Sequence, residues 1–302
     1  MSDNVRLPSL STFPRLLMHH AQVRPNHPAT REKDMGIWQT WTWLQVAEEV
    51  RAMASGLAEL GFKRGDNLAI IGDNRPRLYW AMCAAQCLGG VPVPLYQDAV
   101  AAEMVFVLQD AGIKFAIVED QEQVDKLLEN MAQCPGLQHI LYDDPRGMRH
   151  YNQPFLHGLD EVQEMGRIHN RNHPEFIDGE IDLGQPEDVA VMLYTSGTTG
   201  KPKGVCQTHA AFIAAAQSGC EFDKLVPGDN ILSYLPMAWV GDHLFSFAQA
   251  TYAGFTINCP ESGDTVMTDM REIGPTYYFA PPRVFESLLT SVMIRMEDAG
   301  KL

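Results

Sequence analysis

Residues 194–205 read Tyr194-Thr195-Ser196-Gly197-Thr198-Thr199-Gly200-Lys201-Pro202-Lys203-Gly204-Val205 and follow directly on the apolar run 189–193. Glycines admit close backbone approach to a polyanion, the hydroxyls of Thr195, Ser196, Thr198 and Thr199 add donors, and Lys201 and Lys203 add positive charge. Pro202 has no N–H and a fixed φ, so it stiffens the turn between the two lysines. The expectation is a phosphate-holding loop after a buried strand, made of Thr195, Ser196, Gly197, Thr198, Thr199, Gly200 and Lys201, with Lys203 beside them. A Walker A loop would need Gly where Thr195 stands and Ser or Thr where Pro202 stands. That reading fails at both positions.

Outward from this loop, strand-like runs occur at 67–72, 91–96, 114–118, 137–142, 189–194, 230–235, 255–259 and 276–280. Helix-like runs lie between them, at 43–60, 77–88, 101–111, 121–132, 208–219, 243–253 and 282–297. Alternation of this kind predicts an α/β fold with layered parallel or mixed sheets covered by helices. Ligands in open α/β sheets bind at the carboxyl ends of strands, which is where a loop leaving the 189–194 strand belongs. Thr208 is placed to cap the helix that follows. The segment 143–188 carries Pro145, Pro154, Pro174 and Pro186 and is the least regular part. It reads as a surface excursion or a boundary between two α/β lobes.

With 302 residues, 45% of them hydrophobic, the chain can bury a large core. A formal net charge of −15 argues against nucleic acid and against an anionic membrane surface as partners. No run of about 18 apolar residues stands out as a transmembrane helix, so any membrane contact is expected to be peripheral. The first ten residues lack the apolar stretch of a signal peptide. Cys83 and Cys87 share a helix face, but no second cysteine pair stands at metal-ligand spacing. Buried reduced thiols fit a cytoplasmic protein. The histidines between His150 and His173 read as solvated loop rather than as a metal site.

The 194–205 stretch resembles the signature loop of the adenylate-forming, AMP-binding superfamily, which includes acyl-CoA synthetases, aryl-CoA ligases, luciferases and peptide-synthetase adenylation domains. Leu235-Pro236-Met237-Ala238-Trp239-Val240-Gly241 is similar to that family's next motif, which lines the acyl or aryl pocket, with Trp239 where a His is usual. Residues 275–286 resemble a segment of long-chain acyl-CoA synthetases, and Thr40-Trp41-Thr42-Trp43 and 65–71 look like the family's opening region. The resemblance covers nearly all of 10–302. It implies ATP, Mg²⁺ and coenzyme A as co-substrates and cofactor and a fatty acid as substrate. It assigns the loop residues to phosphate, Thr195 also to the metal, and Trp239, Gly241 and His243 to the substrate pocket. The family's later motifs, with a Glu for magnesium and a catalytic Lys, are absent. The chain therefore reads as a partial AMP-binding domain without the C-terminal domain, the N-terminal half of a long-chain fatty-acid–CoA ligase. Two alternatives stand beside this: another adenylating ligase, of the aryl-CoA or peptide-synthetase type, or a noncatalytic fragment.

Overall fold

The computed structural model describes residues 10–195 and 201–300. The chain opens with α1 (Phe13–Val23), the antiparallel pair β1 (Pro28–Asp34) and β2 (Ile37–Thr42), and the long α2 (Trp43–Glu59). Three strand–helix units follow: β3 (Asn67–Ile71) with α3 (Pro76–Cys87), β4 (Val91–Leu95) with α4 (Ala101–Asp110), and β5 (Phe115–Val118) with α5 (Gln121–Asn130). Then come β6 (His139–Tyr142), β7 (Leu156–Gly158), α6 (Leu159–Asn172) and α7 (Phe176–Leu183). The hairpin strands β8 (Val189–Thr195) and β9 (Lys203–Thr208) lead into α8 (His209–Asp223) and β10 (Asn230–Leu232). A helical stretch made of α9 (Val240–Asp242), a π-helical turn (His243–Ala248) and α10 (Gln249–Ala253) precedes β11 (Thr256–Cys259), α11 (Val266–Ile273) and α12 (Pro282–Asp298).

Five parallel strands form one sheet in the order β4-β3-β5-β6-β7. Its central strands are continuously apolar, as a sheet covered on both faces requires. Successive residues point to opposite faces. Leu68, Ile70, Phe115 and Ile117 accordingly face one core with α2 and α3, while Ala69, Ile71, Ala116 and Val118 face a second with α4 and α5. The other sheet, β10-β11-β1-β2, is parallel except for the β1–β2 pair. It contributes Ala29, Ile231 and Ile257 to the first core, so α2 and α3 lie between the two sheets. The expected layered α/β arrangement is present.

Local sequence explains the placement of the central helix. Thr42 accepts from the Gln45 amide while the Gln45 side chain accepts from the Thr42 amide, a reciprocal cap that starts α2. Further along, Gly56 lies against the Val162 backbone, and Gly166 of α6 lies against the Ala52 carbonyl. A Cβ at either glycine would collide with main chain, so this crossing needs both.

Several expectations change. The segment 143–188, read as irregular, holds β7, α6 and α7, and Leu159, Val162, Ile177 and Ile181 join the first core. Of the histidines there, His157 and His169 are half-buried in β7 and α6 rather than solvated loop, whereas His150 and His173 are exposed. His157 on β7 meets His139 of β6 with ring nitrogens 3.1 Å apart, and His169 packs on His173 at 4.8 Å between centroids. The 276–280 run is not a strand, making only the bridge Ile231–Tyr277. Flanking Pro275, Pro281 and Pro282 limit ladder bonding there. Among the described residues, no helix is long and apolar enough to cross a membrane. Helix α12 forms where the sequence indicates but buries none of its residues, leaving Leu289 64% and Met296 65% exposed.

Candidate active site at the β8–β9 hairpin

The loop after β8 does not lead into a helix. β9 returns antiparallel along β8, with Tyr194 opposite Gly204 and Thr195 opposite Lys203, so β8 and β9 form a hairpin. β9 escapes a reading based on buried patterns because residues 203–206 are exposed. The cap expected at Thr208 is present, its hydroxyl accepting from the Ala211 amide at 3.2 Å. Ser196, Gly197, Thr198, Thr199 and Gly200 lie outside the described residues.

The flanks of the turn are described. Thr195 ends β8, Lys203 begins β9, and both are exposed. The Lys201 ammonium sits 5.9 Å above the Phe106 ring of α4, within cation–π range. Among the described residues neither lysine forms an ion pair, so both charges remain available to an anion. The Tyr194 hydroxyl donates to Asp110 Oδ2 at 2.7 Å, tying β8 to the last turn of α4. Burial, then Asp110, raises the Tyr194 hydroxyl well above its ordinary value, so it stays protonated and donating.

Between this hairpin and α4 opens a cavity of about 330 Å³. Its wall includes Leu95, Met104, Val107 and Leu193, with Thr195 and Pro202 at the hairpin end and Ala238 and Trp239 opposite. The structure thus brings Trp239, separated from Thr195 by more than forty residues of sequence, to the same cavity. The Trp239 ring lies 6.1 Å from that of Phe279, which itself stacks on Phe245 at 3.8 Å.

Gly241 and His243 do not line this cavity. Gly241 is buried beneath the Trp239 ring, which occupies the space a Cβ would need. It permits the tryptophan's position rather than opening space for a ligand. His243 is 1% exposed, packed between Phe212 at 4.9 Å and Phe247 at 5.1 Å, and neither ring nitrogen has a partner among the described residues. Burial, with His209 nearby, lowers its pKa to about 3, so it is a neutral core residue. The reason is local: the turn that begins after Trp239 directs residues 241–243 inward.

That inward turn also buries a group the sequence reading did not single out. Asp242 is 1% exposed and accepts from Ser233 Oγ at 2.8 Å and Tyr79 OH at 2.8 Å. The Asn74 amide nitrogen lies 3.2 Å from the same carboxyl and 2.9 Å from the Leu235 carbonyl. With no cation among these partners, burial raises the Asp242 pKa to about 6 despite the hydroxyl donors. An acidic residue inside the apolar run 237–248 is the one sequence signal that pointed to it. Its partners lie too far along the chain for spacing to find.

The donor set also bears on the expected metal. Among the described residues no group of three or more His, Cys, Asp or Glu can hold an ion. Thr195 alone does not make a magnesium site.

Residues 17–301 match the family model described as AMP-binding enzyme. The curated relatives include the long-chain-fatty-acid–CoA ligase ACSBG1 of Rattus norvegicus, 25% identical over 87% of this chain and 37% of the relative. The long-chain-fatty-acid–CoA ligase FadD15 of Mycobacterium bovis is 26% identical over 95% of this chain and 46% of its own length. The chain therefore spans less than half the length of these curated relatives. Among solved structures, the anthranilate CoA ligase AuaEII in complex with anthranoyl-AMP superposes with a TM-score of 0.76 at 20% identity, over 89% of this chain and 49% of that one. The loop, the hairpin that presents it and the near-complete family match lead to one conclusion: the chain belongs to the AMP-binding enzyme family.

Proposed function

We propose that this chain supplies the phosphate-loop and substrate-wall part of an ATP-dependent acid–thiol ligase that activates a long-chain fatty acid. The observation that carries the reading is the cavity in which Thr195 and Pro202 of the hairpin meet the apolar wall of Leu95, Val107, Leu193 and Trp239. A phosphate-handling edge beside an apolar wall suits a substrate with a carboxylate at one end and hydrocarbon behind it.

In the reaction proposed, a carboxylate oxygen attacks the α-phosphorus of ATP, the bond to the β-phosphate oxygen breaks, and pyrophosphate leaves with the electron pair. The thiolate of coenzyme A then attacks the acyl carbon and displaces AMP. Negative charge grows on the leaving pyrophosphate, and fixed donors aimed at that charge lower the barrier. Lys201 and Lys203 provide the positive charge, with hydroxyl donors from Thr195, Ser196, Thr198 and Thr199. Trp239 and its aliphatic neighbours hold the chain. The reading includes a cytoplasmic setting, supported by six free thiols.

A second reading, an aryl-CoA ligase, draws support from Trp239 at the wall, with the Phe279 ring 6.1 Å behind it. A panel of carboxylates in ATP–pyrophosphate exchange separates the two. Palmitate-dependent exchange lost in Lys201→Ala is the result expected. Exchange with benzoate or anthranilate but not palmitate moves the assignment to the aryl class. Absence of exchange with every acid, in folded protein, means that activity needs residues outside this chain.

A further inference from the structure

We propose that Asp242, with Asn74, Tyr79 and Ser233, is a positioning device that fixes the Trp239 side of the cavity. As a substrate-wall device it rests on the function proposed above; as a structural linkage it does not. Residues 235–239 have no strand or helix of their own, yet they carry Ala238 and Trp239 onto the cavity wall. Both ends of this segment are held by one cluster. At the first end the Asn74 amide bonds the Leu235 carbonyl, and at the other it reaches the Asp242 carboxyl.

The cluster joins residues from three separate parts of the chain. Asn74 precedes α3 and Tyr79 lies in it, Ser233 follows β10, and Asp242 ends α9. Tyr79 OH and Ser233 Oγ are 2.5 Å apart and both touch the carboxyl, so each hydroxyl's orientation depends on the other. Asn74 Nδ2 has two protons and four oxygens within 3.2 Å, namely Tyr79 OH, Ser233 Oγ, the Leu235 carbonyl and Asp242 Oδ1. A network so connected has few alternative arrangements, and buried polar groups tolerate none that leave a member unpaired. Movement of Asp242 is passed to Trp239 through Gly241, which packs so close to the indole that a Cβ there would meet the ring at 2.3 Å. Residues 241–243 are all buried, and a π-helical turn, a local feature often found at functional sites, runs on from them over His243–Ala248.

The test is ¹⁹F NMR of the chain labelled with 5-fluorotryptophan, which gives one resonance for each of five tryptophans. Trp239→Phe identifies the resonance of interest. Asp242→Asn, which preserves shape but turns an acceptor into a donor facing donors, is expected to shift or broaden the Trp239 signal while those of Trp38, Trp41 and Trp43 stay in place. Ser233→Ala, a milder change, is expected to do the same should the first variant fail to fold. An unmoved Trp239 resonance in either folded variant overturns the proposal. A parallel titration with cis-parinaric acid should show weaker binding in Asp242→Asn than in the unaltered chain. If the unaltered chain binds no parinarate, the acyl-wall reading fails, while the ¹⁹F result still decides whether Asp242 positions Trp239.

Discussion

The hairpin side of the cavity keeps its polar groups at the surface, whereas the Trp239 side sinks them into the core. On the first side, Lys201 rests over Phe106 and Tyr194 bonds Asp110, all within reach of solvent. On the second, Asn74, Tyr79, Ser233 and Asp242 are all less than a tenth exposed and bond chiefly to one another. Groups that must meet a charged ligand have to be free of protein partners, and water can satisfy them until the ligand arrives. Groups that shape a wall have to be partnered, because a buried polar atom left unpaired costs about 1–3 kcal/mol. The difference predicts that damage to the two sides will look different: lost stability on one, lost ligand on the other.

The largest effect should come from acid, through the neighbour of Asp242. His243 is buried neutral with a folded-state pKa of about 3 against an ordinary 6.5, so its stabilising contribution is complete above that ordinary value and is lost as pH falls. By about pH 4.5 the loss should be roughly 3 kcal/mol, at 1.36 kcal/mol per unit. His20 and His209, both lowered to about 4 mainly by burial, act in the same direction. Asp242 acts oppositely, since a carboxyl raised from 3.8 to about 6 favours the folded state at low pH and loses that contribution as pH rises through 6. Melting temperatures followed from neutral pH down to about 4 should therefore fall less steeply in His243→Phe and more steeply in Asp242→Asn. Parallel curves for all three proteins would contradict this assignment.

The next effect is Asn74→Ala, expected to cost about 2 kcal/mol in urea unfolding because the Leu235 carbonyl and part of the Asp242 carboxyl lose their donor. On the opposite side, Tyr194→Phe removes a bond that water can replace and should cost less than about 1 kcal/mol. Equal costs for the two substitutions would erase the contrast between the walls.

How much of this was legible in the sequence follows the same line. β3, β4 and β5 are short apolar runs ended by turn residues, and their positions were read within a residue or so. α6 was not, because its exposed face of Glu, Arg, His and Asn hides a narrow apolar stripe of Leu159 and Val162. β9 was missed because it is exposed, and with it the hairpin that presents the loop. Trp239 lies on the wall of the cavity, while His243, four positions on, turns into the core, and nothing in its spacing reveals that inward turn. The Asp242 cluster joins residues up to 168 apart in sequence, and no local pattern encodes such a meeting. The 194–205 stretch stands out by composition, since its glycines, hydroxyls and lysines are residue types suited to a polyanion.

The smallest expected change in stability, and the most direct test of the account, is Lys201→Ala. ATP binding to the chain should be measured by titration calorimetry before and after the substitution, with a melting curve for each protein. The account predicts that nucleotide affinity falls while the melting temperature stays the same, since Lys201 is exposed and has no ion-pair partner among the described residues. Unchanged ATP affinity together with a lowered melting temperature would make Lys201 a structural residue and contradict the claim that this hairpin is built to hold phosphate.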